Sequence, residues 1–141
     1  MNDYMNLRVK AKSVNEGFVR NCVALFCVRF NPTVEFLDDV KTAVSEAVTN
    51  CVVHAYPDGE GDIDITCRTD GDFLHIEITD SGKGILDIEQ AITPYFTTDD
   101  EGERAGIGFT VMKSFCDYFE VKNNIDGGVS VILRKKIVCE V

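Results

Sequence analysis

Glu46 and Asn50 lie four residues apart in Val44-Ser-Glu-Ala-Val-Thr-Asn-Cys-Val-Val53. On a helix that spacing stacks a carboxylate and a carboxamide on one face, one turn apart. The two interrupt a run otherwise suited to packing, with Ala43, Val44, Ala47, Val48, Val52 and Val53 around them. A carboxamide oxygen is a hard, neutral ligand that suits Mg²⁺. A carboxylate beside such a metal can accept a proton from a nucleophile. An amphipathic helix with a wet stripe would read the same way, so the pair needs company before it means chemistry.

Two glycine-bearing stretches supply it. Asp80-Ser81-Gly82-Lys83-Gly84-Ile85 follows the alternating, strand-like run Phe73–Ile78. A strand that ends in Asp and turns through glycines can hold the carboxylate at the mouth of a pocket, with the ligand close to the backbone. Asp-Ser-Gly is also ordinary turn chemistry. Arg104-Ala105-Gly106-Ile107-Gly108 leads into the apolar run Phe109–Met112. Glycines at a helix start leave N–H groups open to an anion such as phosphate. A lone Gly-x-Gly there would also fit a flexible helix start.

In this order the three stretches resemble the ATP-binding motifs of the GHKL superfamily, which includes gyrase, histidine kinases and MutL. Glu46 and Asn50 match its N box, Asp80–Gly84 its first glycine box and Gly106-Ile107-Gly108 its second. The resemblance runs from about residue 5 to 137 and implies ATP or ADP as ligand. It assigns Mg²⁺ to Asn50, the adenine amino group to Asp80, and the phosphates to the region of Gly106, Ile107 and Gly108. Gly82, Lys83, Gly84 and Ile85 complete the nucleotide contacts.

His54-Ala55-Tyr56 after the N box, Tyr95-Phe96-Thr97-Thr98, and Glu103–Met112 narrow the likeness to the small anti-sigma factor serine kinases, above all the sporulation anti-sigma F group. That likeness implies cytoplasmic location and a homodimer that binds a sigma F-like sigma factor. It implies that Glu46 is the general base activating a serine of an anti-anti-sigma protein. Residues 93–105, with Thr97 and Thr98, would form a lid over the triphosphate; members of the group often carry Lys where this chain has Asp99. Ser130 stands where the family usually has Thr, near adenine. Arg104 would reach the γ-phosphate or else pair with Glu101 or Glu103. An anti-sigma B-type stress-response kinase, a nucleotide-gated binding module and a detached histidine-kinase ATPase domain are the alternatives; the shortness of the chain and Thr97-Thr98 count against the last.

To position these groups the chain must supply a strand, two helices, two strands, a lid, a helix and two strands. Leu7–Ala11 alternates as an edge strand. Ser13 with Glu16 reads as a capping box, and Asn31-Pro32 as the next helix start with Pro in its first turn. That helix should run to His54 and stop at Tyr56-Pro57-Asp58-Gly59. Asp62–Cys67 and Phe73–Ile78 flank Thr69–Asp72 as a hairpin, and Phe119–Asn123 with Val129–Ile137 form another. The expected architecture is an α/β (α+β) two-layer sandwich, with helices on one face of a mixed, largely antiparallel sheet.

The 141 residues, 45% of them hydrophobic, suit a single domain, 1–141, with a real core. No apolar run approaches a membrane span, and Met1-Asn2-Asp3-Tyr4 does not open a signal peptide. A net charge of -10 excludes a phosphate-backbone reader, so no nucleic-acid partner is expected. The six cysteines form no Cys-x-x-Cys pair and sit mostly in apolar runs, as reduced, buried side chains would. His54 follows Asn50 by one turn and either serves the site or satisfies the helix end. His75 alternates onto a strand surface. Arg20, one turn after Glu16, is half of an exposed ion pair or a contact for a protein partner.

Overall fold

In a computed structural model of the chain the described residues are 2–57, 60–85, 88 and 100–141, with the side chains of 100–106 outside the description. The elements in order are β1 (Tyr4–Lys10), α1 (Val14–Val28), α2 (Val34–Asn50), a π-helical turn (Cys51–Ala55), β2 (Asp62–Asp70), β3 (Phe73–Asp80), α3 (Asp100–Phe115), β4 (Tyr118–Asn123) and β5 (Val129–Lys136). The expected strand and helix order is therefore met.

The five strands lie in the order β1-β2-β3-β5-β4, and each neighbouring pair is antiparallel. Among the described strands the sheet is wholly antiparallel, not mixed. The crossover through α3 returns β4 in the direction of β3, but β5 pairs with both and takes the place between them. No parallel contact is left among the described strands. Gly71, at φ +61, turns the β2–β3 hairpin in the left-handed region that glycine adopts without strain.

Period-two alternation builds the core. Ile63, Ile65 and Cys67 of β2, Leu74, Ile76 and Ile78 of β3, and Val129, Val131 and Leu133 of β5 share one side of the sheet. Onto them pack Val19, Val23 and Phe26 of α1, Phe36, Val40, Val44 and Val48 of α2, and Phe109 and Met112 of α3. Each such apolar side chain contributes roughly 1.5–3 kcal/mol when fully buried. The opposite side of the sheet carries Arg8, Asp64, Thr66, Glu77 and Arg134, which gives the two layers.

Four local expectations change. Ser13 precedes α1 but makes no side-chain cap, because its own backbone is helical (φ -58°, ψ -31°); Glu16 is engaged by Arg20 and Ser45 instead. Thr33, not Pro32, caps α2: its hydroxyl accepts the Phe36 N–H at 3.1 Å, while Pro32 forms a bridge to Cys139. His75 is 7% exposed, lying in register between Arg68 and Arg134. Burial and those two cations hold its pKa below the ordinary histidine value. All six cysteines are free; Cys27, Cys51 and Cys67 are buried, but Cys139 is exposed.

Candidate functional site

α2 and α3 pack against each other, and the residue that lets them meet at the site is Gly108. A Cβ placed there would lie 3.1 Å from Glu46 Oε2, 3.2 Å from Asn50 Oδ1 and 3.3 Å from Asn50 Nδ2. Glu46, Asn50 and the second glycine stretch are thus brought together. Asn50 Nδ2 is buried and has no hydrogen-bond partner among the described residues. A buried amide left open costs free energy that a ligand can recover. Directly after Asn50 the backbone widens into the π-helical turn, a departure often found where a helix serves a site.

That turn ties α2 to the Asp80 loop. The Ala55 carbonyl accepts the Lys83 N–H at 3.0 Å. A Cβ on Gly82 would fall 2.2 Å from the same oxygen, so position 82 has room for hydrogen alone. Asp80 is 6% exposed and faces the helices. Its Oδ1 accepts the N–H groups of Gly82 at 2.9 Å and Val129 at 3.2 Å, and the Cys51 thiol donates to Oδ2 at 3.6 Å. Burial, then the charge of Asp80, pushes the Cys51 thiol well up, which keeps it a proton donor. Oδ2 retains acceptor capacity for a further N–H donor.

Residues that spacing did not point to complete this end. Gly128, at φ +85, lies so close that a Cβ would sit 2.0 Å from the Asp80 carbonyl oxygen. Tyr56 donates to the Asp62 carbonyl at 2.7 Å and accepts the Ser81 N–H at 2.7 Å. Asn123 grips Ile85 through both backbone groups, accepting its N–H at 2.9 Å and donating to its carbonyl at 2.6 Å. Above that grip Gly84 adopts φ +78. The paired Gly127-Gly128, where a simple hairpin would manage with fewer, is the one sequence signal that could have flagged this crowding.

Other candidate residues fall elsewhere. Ser130 bonds Thr79 at 2.9 Å and Asn124, on the side of the sheet opposite Asp80. The pairing register turns it away, and Val129 is the residue that reaches Asp80. α3 begins at Asp100, so residues 100–105 of the expected lid are helical, and Gly106 lies in its second turn and Gly108 in its third, not at its start. Asp100, Glu101 and Glu103 in the first turns complement the helix dipole and favour that early start. Residues 93–99, with Thr97 and Thr98, lie outside the described residues, as does the side chain of Arg104. Lys83 is exposed and Ile107 47% exposed.

Arg20 pairs with Glu16 at 3.1 Å and reaches Ser45 Oγ at 3.4 Å. It also lines a groove of about 550 Å³ between α1 and α2, together with Asn21, Asp38, Lys41, Ser45 and Glu46. Glu46 therefore borders both the Asn50–Gly108 gap and an open groove beside Arg20.

The residues fit a nucleotide with its metal. Among the described residues no group of three or more His, Cys, Asp or Glu could hold a cation alone. Asn50 offers one oxygen, so phosphate oxygens and water would have to complete a Mg²⁺ sphere, the usual arrangement for that ion.

Residues 9–135 match the histidine kinase-like ATPase domain family. The anti-sigma F factor of Thermoanaerobacter sp. strain X514 is 49% identical over 133 residues, 94% of this chain and 93% of that protein. The anti-sigma F factor of Caldanaerobacter subterraneus subsp. tengcongensis is 48% identical over 96% of this chain and 95% of its own length. The one from Geobacillus stearothermophilus is 43% identical over 99% and 96%. The crystal structure of the RsbU and RsbW domains of Rv1364c from Mycobacterium tuberculosis superposes with a TM-score of 0.70 at 16% identity, covering 99% of this chain and 34% of that one, which supports the fold. Among the described residues no helix is long and apolar enough to cross a membrane.

Proposed function

The chain belongs to the anti-sigma F factor family of histidine kinase-like ATPase domains, and from that premise we propose that residues 1–141 act as one ATP-dependent protein serine kinase that also captures a sigma F-like sigma factor. The phosphoryl acceptor is a serine of an anti-anti-sigma protein, and the working form is a homodimer.

The observation that carries this reading is the double exposure of Glu46. One side of it faces Asn50 and the gap left by Gly108; the other lines the groove beside Arg20. A base that serves only bound nucleotide has no reason to border an open surface groove as well. In the reaction, the acceptor Oγ bonds to the γ-phosphorus as the bond to the bridging oxygen of ADP breaks, and Glu46 takes the hydroxyl proton. Asn50 holds the metal-nucleotide end in line. Asp80 fixes the adenine through the oxygen its backbone partners leave open. When bound, Mg²⁺ neutralises charge on the phosphates.

Incubation with labelled ATP and an anti-anti-sigma protein tests the transfer. The expected product is label on that protein which survives acid and is removed by alkali, as phosphoserine is. Nucleotide binding with no transfer overturns the kinase part. Arg20→Glu is expected to weaken capture of a protein partner in a pull-down while ATP affinity stays unchanged, since Arg20 touches the groove and none of the three motifs.

A further inference from the structure

The β2–β3 ladder stops at the rung that pairs Ile63 with Asp80. One step further, the same register would set Ser81 opposite Asp62. Hydrogen-bonded and non-bonded pairs alternate along an antiparallel ladder, and the hairpin closes on Asp70 and Phe73. Counting from there, Asp62 and Ser81 would form a bonded rung, with the Ser81 N–H on the Asp62 carbonyl. The Tyr56 hydroxyl stands between those two groups instead. It accepts the Ser81 N–H and donates to the Asp62 carbonyl, each at 2.7 Å. Both backbone groups are satisfied while the strands part by the width of one hydroxyl. β3 therefore leaves the sheet directly after Asp80, and the turn through Gly82 begins there.

We infer that Tyr56 is a positioning residue for the base: its hydroxyl fixes where β3 ends, and so aims the Asp80 carboxylate at adenine. The inference rests on the reading of Asp80 as the adenine contact and names what holds that contact in place. The surroundings hold the hydroxyl in turn. A Cβ on Gly61 would fall 2.1 Å from Cε1 and Cζ of the Tyr56 ring, so the ring lies directly against that backbone. The Gly61 carbonyl is tied to β1 by the Ala11 N–H at 2.8 Å. Tyr56 itself directly follows the π-helical turn, whose Ala55 carbonyl takes the Lys83 N–H. The Asp80 turn is thus held from both sides by residues that follow Asn50 in the chain. Base choice follows from the aim of the carboxylate. Adenine offers an amino group where guanine offers a carbonyl oxygen. A fixed carboxylate accepts from the first and repels the second, and a turn free to shift does both less well.

Tyr56→Phe removes the hydroxyl and keeps the ring on Gly61, with circular dichroism as the check on folding. Calorimetry should show ATP and ADP weakened alike, by about fivefold, the worth of one neutral hydrogen bond. The preference for ATP over GTP should narrow. In the transfer assay the loss should fall on KM for ATP and not on kcat, because Glu46 and Asn50 keep their places. Gly61→Ala pushes the ring from the other side and should give the same losses. The double variant should be no worse than the larger single, since both act on one contact. Native affinity and base preference in both single variants, even with a lowered melting temperature, overturn the inference and leave the hydroxyl as a brace for the fold. So does a loss confined to kcat. Asp80→Asn, measured beside them, separates the two failures. If it weakens binding while Tyr56→Phe does not, the adenine seat stands and the role of Tyr56 falls; if it too binds normally, both fall.

Discussion

The two ends of the site are built differently. At the Asp80 end the carboxylate is already held by two backbone N–H groups and a thiol, each fixed by the surrounding chain. At the Glu46–Asn50 end the amide nitrogen is buried without a partner among the described residues, and Gly108 leaves a gap against both side chains. The first end is satisfied from within the fold; the second is left open among the described residues. An unsatisfied buried donor costs about 1–3 kcal/mol, a cost that an acceptor such as a phosphate oxygen would remove. On the proposed reading, the base would meet a preformed seat and the phosphates an end that they complete.

The sharpest division is chemical. Glu46→Gln keeps the side chain's size but cannot take a proton. Phosphoryl transfer is expected to fall by roughly 10²-fold or more while ATP affinity changes little. Transfer at the native rate would remove Glu46 as the base.

Next come the two binding ends, compared by one pair of variants. Asp80→Asn should weaken ATP and ADP alike by about ten- to a hundredfold in calorimetry, since one charge-assisted hydrogen bond is typically worth about 1.5–3 kcal/mol. It should also lower the melting temperature of the nucleotide-free protein, because internal bonds are lost. Asn50→Ala should abolish Mg²⁺-dependent binding yet lower that melting temperature less, because its amide nitrogen has no partner among the described residues. Equal losses of stability would erase the contrast between the ends.

A smaller effect is expected from Gly108→Ala. The added methyl meets Glu46 and Asn50 at 3.1–3.3 Å, contacts that require the neighbours to give by a few tenths of an ångström. Nucleotide affinity should drop several-fold with the helix intact by circular dichroism; unchanged affinity would mean that the gap is not part of the site.

The smallest concerns a buried polar group outside both ends. His75 has its pKa lowered, chiefly by burial and then by Arg68 and Arg134. Below the ordinary histidine pKa of about 6.5 the unfolded chain binds the proton and the folded chain resists it, so stability is full above that pH and declines as pH falls through it. His75→Gln should flatten that decline in thermal melts without touching nucleotide affinity.

Much of this was legible in the sequence. The order of the three motifs, both hairpins and the apolar face of α2 follow from spacing alone, because each is a local pattern. What could not be read depends on partners far along the chain. The Glu16 carboxylate leaves its cap for Ser45, 29 residues away. Ser130 and Val129 exchange sides with a one-residue change of register, and that register is set by pairing with β3, not by the residues themselves. His75 alternates like a surface residue; its burial comes from the long side chains of neighbouring strands. The start of α3 was hidden because acidic residues that read as a solvated loop also suit a helix N-terminus.

The pairing of β3 with β5 has a kinetic side. β2–β3 and β4–β5 are local hairpins, formed by neighbours in the chain. β3–β5 instead closes the stretch across α3, and the Val129–Asp80 hydrogen bond spans 49 residues. Closing such a loop is the slow, entropically costly event in forming a sheet of this order. Until the hairpins join, Asp80 lacks its Val129 partner and the close seat of Gly128, so on the proposed reading a half-assembled chain would have no seat for adenine. Nucleotide would then bind only the joined state. It should slow unfolding, leave the refolding rate nearly unchanged, and act as a clasp on a fold already closed.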